Sequence, residues 1–308
     1  MKLKKKLPVR GEHIFYCCGA RVRVSGDGVE VLDEPTVEFC PLHEMLYKTG
    51  TIDKDAVIRS VILKIEKTGF GCPHRMFTSS NVVPFGASEM IRVCMRAGLF
   101  DCAVTVCEGA GTVISTNPDL VQEIGAFLTG IVKTSPVPEI IGHIEDRGGI
   151  LLDRERALID QVEGIRRAIE LGHKKIAVTV SGFDADKIPV IRSMKESEDI
   201  SVTVFSVCNT CIRDTDVDNL KKADLVWASA SKIVRERIGS IALLQIGVAI
   251  PVFALTERGK EVVLTYLREF GDKIVIFRTK KLPYVVEERV PKTRQRNLDQ
   301  EIKSEAML

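Results

Sequence analysis

The feature that most constrains the fold is an alternation of strands and helices from about residue 100 to residue 278. Short runs rich in β-branched residues, such as residues 102–106, 175–180 and 200–207, are separated by amphipathic segments of helical period. Strands joined through a helix pair in parallel, because the crossover returns the chain to the same end of the sheet. The sequence therefore predicts an α/β, Rossmann-like domain over residues 100–282, with an open, mostly parallel sheet and crossover helices.

Residues 1–99 show a different pattern and predict a smaller, mixed α+β region that precedes the sheet. An Asp27-Gly28 turn lies between two alternating segments, which is typical of a β-hairpin. Residues 53–68 carry apolar positions at helical spacing, with Asp53 as the N-cap and Gly69 as the end of the helix.

The C-terminal part of the chain adds two further expectations. The apolar run at residues 273–277 predicts a last strand of the sheet. Residues 283–308 contain few apolar side chains and predict a charged C-terminal tail, either mobile or helical.

The charge balance limits the classes of partner. Forty-four basic residues face 42 acidic ones, a net charge of +2, so nothing attracts the chain generally to nucleic acid or to a membrane. No stretch approaches the roughly 20 apolar residues of a membrane span, and Pro8, Arg10 and Glu12 interrupt the apolar core of a signal peptide. We expect a cytoplasmic protein whose nine cysteines are free, metal-bound or catalytic.

The placement of the cysteines is the most informative local feature. Cys94 and Cys102 fall in a predicted helix and a buried strand, where a small apolar side chain suits the core. Cys208 and Cys211 form a CxxC at a strand end, a spacing that lets two thiolates bind zinc or an iron–sulfur cluster. A redox pair, a nucleophile and a structural role are the alternatives. Further metal ligands are sought among the other cysteines at strand ends and in loops, namely Cys107, Cys72 and Cys40.

The expected topology groups some of these thiols. Ligands of open α/β sheets gather beyond the carboxyl ends of the strands, and Cys107 and Cys208 both follow strands that could be neighbours. The N-terminal region could bring Cys40, Cys72 and the Cys17-Cys18 pair to the same edge. The metal hypothesis depends on this convergence of distant thiols.

A glycine-rich turn follows the strand that ends at Cys107. Gly109 and Gly111 allow a tight turn and could contact an anion or a cofactor through backbone N–H groups, although a plain structural turn explains the same residues. In an enzymatic alternative, Cys107 is the nucleophile and Glu108 its acid/base partner; a surface carboxylate is the simpler interpretation of Glu108.

Ser229 and Ser231 are the other candidates for cofactor binding. They follow a predicted strand and could present their hydroxyls and a helix N-terminus to a ligand. A purely structural role is the alternative for both.

Several of these segments together resemble the methanogenesis marker protein 8 family, over roughly residues 39 to 267. The segments are Phe-Cys-Pro-Leu at 39–42, Pro-Phe-Gly-Ala-Ser-Glu-Met at 84–90, Cys-Glu-Gly-Ala-Gly-Thr-Val-Ile at 107–114, Asp-Gln-Val-Glu-Gly at 160–164, Ala-Ser-Ala-Ser-Lys at 228–232 and Pro-Val-Phe-Ala-Leu-Thr-Glu-Arg-Gly-Lys at 251–260. The resemblance implies a cytoplasmic archaeal protein associated with methane metabolism, and it supplies no catalytic residue. The CxxC and the Cys17-Cys18 pair are not associated with the family and could mark a metal site of this branch.

Three functions remain open at this point. The leading one is a metal- or iron–sulfur-binding accessory protein, acting with a protein partner in the maturation of methyl-coenzyme M reductase or a related methanogenic process. The second is an enzyme with a cysteine nucleophile that acts on a small anionic substrate or nucleotide. The third is a scaffold without a small-molecule site; the oligomeric state is left open.

Overall fold

The computed structural model of the chain describes residues 1–48, 50–80, 85–127, 130–194 and 199–294. Within these ranges the chain forms an α/β fold with an eight-stranded sheet, a five-stranded sheet and a two-stranded ribbon. The strands are β1 (Lys2–Lys4), β2 (Glu12–Cys17), β3 (Ala20–Ser25), β4 (Gly28–Val31), β5 (Val37–Phe39), β6 (Cys102–Cys107), β7 (Gly111–Ser115), β8 (Gly130–Thr134), β9 (Ile150–Leu151), β10 (Lys175–Ser181), β11 (Ser201–Val207), β12 (Leu225–Trp227), β13 (Leu244–Ile246), β14 (Val252–Ala254) and β15 (Lys292–Thr293). The α-helices are α1 (Pro41–Tyr47), α2 (Lys54–Thr68), α3 (Ala87–Arg96), α4 (Pro118–Gly125), α5 (Pro138–Asp146), α6 (Gln161–Glu170), α7 (Lys187–Ser193), α8 (Val217–Leu220) and α9 (Glu257–Glu269).

The eight-stranded sheet has the order β13-β14-β12-β11-β10-β6-β7-β9. Its centre is parallel, since β10 pairs in parallel with both β6 and β11, and β11 pairs in parallel with β12. Both edges are antiparallel. The predicted α/β class, with an open sheet and crossover helices, is confirmed.

The two faces of this sheet bury alternate residues of each strand. Val104, Val178 and Val204 contribute to the core on the side of α6, α7 and α8. Ala177 and Phe205 contribute to the core on the side of α3 and α9. This period of two is what a strand covered on both faces requires, and it leaves the strand ends as the open edge of the sheet.

The five-stranded sheet lies over the carboxyl ends of the parallel strands. Its order is β1-β4-β3-β2-β8, so its fifth strand comes from well beyond residue 99. The core between this sheet and α2 includes Ala230 and is packed against Val106, both of which follow or end strands of the larger sheet. The N-terminal region therefore covers the edge at which ligands of such sheets bind.

The C-terminal part of the chain differs from the prediction in one segment and is anchored in another. The predicted strand at residues 273–277 is wrong: the segment pairs with no strand of the described chain, and Val275 and Ile276 are 86% and 80% exposed. Strand propensity alone does not form a strand where no neighbour supplies backbone hydrogen bonds. The predicted tail is held at its start, because β15 pairs with β5 and Arg294 donates hydrogen bonds to the carbonyl oxygens of Pro35 and Ile52; residues 295–308 lie outside the described ranges.

Among the helices described, none combines the length and the apolar character needed to cross a bilayer.

Candidate functional site

A cleft of about 100 Å³ lies at the carboxyl ends of β6, β10 and β11. One water molecule needs roughly 10–15 Å³ of such space, so the cleft has room for a small ligand and not for a dinucleotide. Its walls come from strand ends, from the start of α3 and from the end of α4, including Thr105, Val106, Thr179, Ser181, Cys208, Ala87, Ser88, Ile124 and Gly125. The cleft thus occupies the place that the sheet topology predicts.

Thr105 is the most unusual residue of the cleft wall. It is 5% exposed, and its hydroxyl oxygen has no hydrogen-bond partner within the described ranges. A buried hydroxyl without a partner costs free energy, so such groups are rare in folded proteins. A ligand in the cleft would give this hydroxyl its missing hydrogen bond.

The first turn of α3 also faces the cleft. Its N-cap is Gly86, which has no side chain to accept a hydrogen bond from the first amides of the helix, and Ala87 and Ser88 line the cleft. The first amides of a helix have no intrahelical acceptor and carry a partial positive charge. The approach to this turn is fixed by Trp227, whose indole N–H donates a hydrogen bond of 2.9 Å to the carbonyl oxygen of Phe85.

A buried ion pair closes one side of the cleft. The guanidinium of Arg75 donates from Nε to Oε1 of Glu108 across 2.6 Å, and the two side chains are only 1% and 7% exposed. The remaining donors of Arg75 bond to the carbonyl oxygens of Met76, Glu123 and Ile124. Glu108 is therefore neither a surface carboxylate nor a free base, and the pair stabilises the wall without leaving net charge.

A second neutral pair lies on the other side. Asp184 lines the cleft and contacts the ammonium of Lys187 at 3.4 Å. Burial raises the pKa of Asp184, while Lys187 acts in the opposite direction. Both carboxylates of the cleft thus have a cation beside them.

Cys208 is the cysteine that lines the cleft. Its backbone has a φ of 56°, a left-handed conformation that is uncommon outside glycine and that clusters at functional sites. The N–H of the next residue, Asn209, donates to the hydroxyl of Ser229, which is also left-handed with a φ of 49°. Burial raises the pKa of the Cys208 thiol to about 11, against the lowering effects of Lys64 and of a hydrogen bond with Ser181. At neutral pH Cys208 is therefore a thiol that can donate a hydrogen bond.

The other cysteine of the CxxC reaches the five-stranded sheet. The Cys211 thiol donates to the carbonyl oxygen of Gly19 across 3.5 Å. Gly19 and Cys18 form the turn between β2 and β3, and the sulfur atoms of Cys17 and Cys18 are 4.0 Å apart. Lys64 of α2 interacts electrostatically with Cys17 and with Cys208. The structure thus brings the N-terminal cysteine pair and the CxxC to one region.

The remaining metal candidates are Cys107, Cys72 and Cys40. Cys107 is buried, its thiol donates to the backbone oxygen of Glu108 at 3.3 Å, and its side chain packs in the core under α4 and α5. Cys72 is buried in the N-terminal core, where burial raises its pKa to about 11. Cys40 is the N-cap residue of α1, interacts electrostatically with Cys18 and packs against the same core as Cys72. The expectation that the strands of Cys107 and Cys208 are neighbours is wrong, because β10 lies between β6 and β11.

In the described part of the chain, no group of three or more His, Cys, Asp or Glu side chains surrounds a common point. The residues predicted as ligands are therefore not arranged for a single ion, and metal binding stays a prediction.

The glycine-rich turn has structural contacts on all sides. Gly109 donates its N–H to the hydroxyl of Thr134 at 2.7 Å, and Gly111 lies against the backbone of Ala157. Both glycines have positive φ, and they connect the antiparallel strands β6 and β7. Ser231 likewise accepts a hydrogen bond from the N–H of Val234. Neither glycine is among the residues that line the cleft, and an anion contact by the turn stays a prediction.

Three residues of the cleft were not predicted from the sequence: Arg75, Thr105 and Ser181. Thr105 is the one polar residue in the run Cys102–Cys107, and a hydroxyl near the end of an otherwise apolar strand is a signal that could have found it. Ser181 ends a buried strand, which is a similar signal. Arg75 gave no such signal, because its partner Glu108 is 33 residues away.

Two comparisons with known proteins give consistent results. A family model described as an uncharacterized protein conserved in archaea (DUF2099) matches residues 13–268. The uncharacterized protein MJ0054 of Methanocaldococcus jannaschii is 37% identical over 266 residues, which cover 86% of this chain and 93% of that protein. The cleft and the cysteine region both lie inside the matched residues.

Proposed function

We propose that this chain, which belongs to the archaeal family of uncharacterized proteins DUF2099, binds a small anion in the cleft at the carboxyl ends of β6, β10 and β11. The observation that carries the proposal is the buried Thr105 hydroxyl, which lacks a hydrogen-bond partner in the described chain and lies in the cleft wall. A buried hydroxyl without a partner lowers the stability of the folded chain. A ligand oxygen that accepts a hydrogen bond from this hydroxyl explains why the threonine is present.

The electrostatics of the cleft favour an anion over a neutral ligand. Arg75 neutralises Glu108, and Lys187 neutralises Asp184. The amides of the first turn of α3 add partial positive charge at the cleft, and the one acidic residue of that turn, the buried Glu89, is not among the residues that line the cleft. A phosphate or carboxylate oxygen would accept hydrogen bonds from this turn and from Thr105.

If the chain is an enzyme that acts on the bound anion, its nucleophile is Cys208 and not Cys107. Cys107 points into the core under α4, whereas Cys208 lies in the cleft wall. Because burial raises the pKa of Cys208 to about 11, attack by its thiolate would need a base to remove the proton. The geometry therefore supports ligand binding directly, and catalysis only as a further step.

Titration calorimetry with inorganic phosphate tests the proposal. We expect saturable binding to the wild-type chain and roughly tenfold to hundredfold weaker binding to Thr105→Val, as for the loss of a hydrogen bond to a charged group. The matched control is Thr203→Val, a buried threonine on β11 that is not among the cleft residues, and its affinity should equal that of the wild type. Equal affinity of wild type and Thr105→Val, or no binding of phosphate or acetate to either, would favour the scaffold alternative.

The second candidate is the metal- or iron–sulfur-binding role linked to methanogenesis. The observation in its favour is the approach of the CxxC to the Cys17-Cys18 turn, through the contact between Cys211 and Gly19. In a [4Fe–4S] cluster each of the four ligands binds a different iron atom, so the ligands lie farther apart than the ligands of one ion. The methanogen source of the relative supports the pathway, and membership of the marker protein 8 family stays a prediction.

Metal analysis separates this candidate from the anion proposal. After purification without oxygen, stoichiometric iron, sulfide or zinc that is lost in Cys208→Ser and retained in Cys94→Ser would support it. Cys94 is a suitable control because it is buried in the core beside α9. Absence of stoichiometric metal would reject the metal role and leave the phosphate titration unaffected.

A further inference from the structure

We propose that residues 273–277 form the contact of a homodimer, in which this segment pairs antiparallel with the same segment of a second copy of the chain. The segment follows α9 and is not among the residues that line the cleft, so the inference does not depend on anion binding. It rests on the unpaired backbone of the segment, on its exposed apolar side chains and on the charges at its two ends.

The segment has the composition of a strand and lacks a neighbouring strand. Ile274, Val275, Ile276 and Phe277 are 41%, 86%, 80% and 56% exposed. No backbone hydrogen bond joins residues 273–277 to another residue of the described ranges. Contiguous exposed apolar side chains mark contact surfaces, and a backbone with free N–H and C=O groups is a template for another strand. A second strand would cover the side chains and pair the backbone.

The edge of the larger sheet at β13 is covered by the chain that follows the segment. The N–H of Tyr284 donates to Oε1 of Gln245 at 2.9 Å, and Nε2 of Gln245 donates to the carbonyl oxygen of Tyr284. The N–H of Val286 donates to the carbonyl oxygen of Val248 at 3.3 Å. The ring of Tyr284 packs edge-on against Phe277, with the centroids 5.0 Å apart. The segment is therefore held at the surface, and its strand partner comes from another molecule.

The charges at the ends of the segment favour a second copy as that partner. Asp272 and Arg278 are exposed and lie three residues before and three residues after Val275. In an antiparallel pair with Val275 opposite Val275, Asp272 lies opposite the partner's Arg278. Ile274 then lies opposite the partner's Ile276. A twofold axis passes between the two valines, so both ion pairs form together and the assembly closes as a dimer.

A shift of the pairing by one residue loses these ion pairs. In one direction the shift places Lys273 opposite the partner's Arg278, and like charges in facing positions destabilise a strand pair. In the other direction it places Asp272 opposite the partner's Phe277, where the carboxylate has no cation. The charges therefore oppose both of these registers.

A shift by two residues would place Asp272 opposite Lys280. This register needs an extended backbone through residues 279–281, where the chain bends. The hydroxyl of Thr279 donates to the carbonyl oxygen of Lys281 at 2.9 Å and accepts from its N–H at 3.1 Å, which closes the bend. The register centred on Val275 pairs the charges and keeps the bend.

Analytical ultracentrifugation over a series of protein concentrations tests the dimer. A reducing agent is present, because the nine cysteines could otherwise cross-link copies. We expect the mean mass to rise from 34.1 kDa towards twice that value, with a dissociation constant on the order of micromolar, since so short a ribbon buries little surface. Hydrogen exchange of the peptide that contains residues 274–277 should slow over the same series.

Val275→Glu should weaken the dimer roughly tenfold or more, because it places two carboxylates opposite each other at the twofold axis. The matched control is Val190→Glu. Val190 is an exposed valine of α7, 44% accessible, and its substitution should leave the association unchanged. Unfolding midpoints in urea equal to that of the wild type show that both variants are folded.

Charge reversal tests the register. Asp272→Arg and Arg278→Asp should each weaken self-association, because each places like charges in both facing positions. An equimolar mixture of these two variants regains opposite charges in both positions and should form heterodimers more tightly than either variant forms homodimers.

Several results would overturn the inference. These are a mass of one chain at every concentration, a dimer that survives Val275→Glu, and two charge variants that do not associate when mixed. Growth beyond two copies would also overturn it, because a twofold pair leaves no segment free for a third copy.

Discussion

The thiol of Cys211 and the carbonyl oxygen of Gly19, 192 residues apart in sequence, lie 3.5 Å from each other. The contact joins the loop after β11 to the hairpin turn between β2 and β3. Gly130 of β8 also packs closely against Cys208, because a Cβ atom added to this glycine would lie 3.3 Å from the Cys208 sulfur. The five-stranded sheet and the loop after β11 thus lie in direct contact at this edge.

Thr105→Val should leave the folded chain as stable as the wild type or slightly more stable. The substitution removes a buried hydroxyl that has no partner in the described chain and keeps the shape of the side chain. The free energy of unfolding from urea denaturation measures the effect.

The matched comparison is Thr112→Val. The Thr112 hydroxyl donates to Oε1 of Gln161 at 2.8 Å and accepts from the N–H of Asp160 at 2.9 Å. Its removal leaves two buried groups without partners and should cost about 1–3 kcal/mol or more. Equal losses in the two valine variants would show that Thr105 has a hydrogen bond after all.

Gly111→Ala should destabilise the chain more than Gly98→Ala. Both glycines have a φ of +75°, so each alanine bears the left-handed conformation, at roughly 1–2 kcal/mol. At Gly111 the added carbon would also lie 2.4 Å from the backbone of Ala157, whereas at Gly98 nothing lies within 4 Å. Urea denaturation should show the difference; equal losses would contradict this packing.

Phosphate titration of the same two variants addresses the turn itself. If the turn is structural, the folded fraction of Gly111→Ala binds phosphate with the affinity of the wild type. A specific loss of phosphate affinity in Gly111→Ala at full folding would instead support the anion contact predicted for this turn.

Stability should fall as the pH falls from 6.5 to about 4, in part because of His43. Burial lowers the pKa of His43 from 6.5 to about 4, so over this range the unfolded chain binds a proton that the folded chain does not. The loss of unfolding free energy is absent above pH 6.5. It grows by about 1.4 kcal/mol for each pH unit below 6.5 and levels off near pH 4, at roughly 3 kcal/mol in total. His13 acts in the same direction, because burial lowers its pKa as well.

His43→Gln is the variant that checks this assignment. Glutamine can still bond to the hydroxyl of Ser60, which lies 2.7 Å from Nε2 of His43. Unfolding free energies measured between pH 4 and pH 7 should show a shallower slope than in the wild type. An unchanged slope would assign the effect to other groups.

Glu108→Gln should be among the most destabilising single changes at the cleft. It leaves the Arg75 guanidinium buried without its counter-charge, which typically costs about 3–5 kcal/mol. The control is Glu145→Gln, which removes an exposed pair with Arg154 and should cost about 1 kcal/mol or less. A double-mutant cycle with Arg75→Met measures the coupling, and a coupling near zero would contradict the ion pair.

Local signals in the sequence predicted the individual elements well. Asp53 caps α2 by accepting a hydrogen bond of 2.7 Å from the N–H of Ala56, and Gly69 ends the helix with a φ of 66°. The location of the CxxC after a parallel strand is also confirmed. These features depend on neighbours in the chain, so a sequence pattern contains them.

The site itself depended on contacts between distant residues. Tertiary packing decides three features of the site. It places β10 between β6 and β11, adds β8 to the N-terminal sheet, and pairs Arg75 with Glu108. The periodicity of one segment carries no information on which strand lies beside it. For the same reason the sequence could group cysteines by the end of the sheet and could not select Cys208 over Cys107.

The hydrogen bond from Trp227 to Phe85 makes the chain a natural optical probe. Trp227 is the single tryptophan of the sequence, and its indole is tied to the residue that precedes the N-cap of α3. Emission excited at the indole band therefore originates from a single site, beside the segment that leads into α3. Wavelength and intensity of this emission should report occupancy of the cleft in real time, without a label.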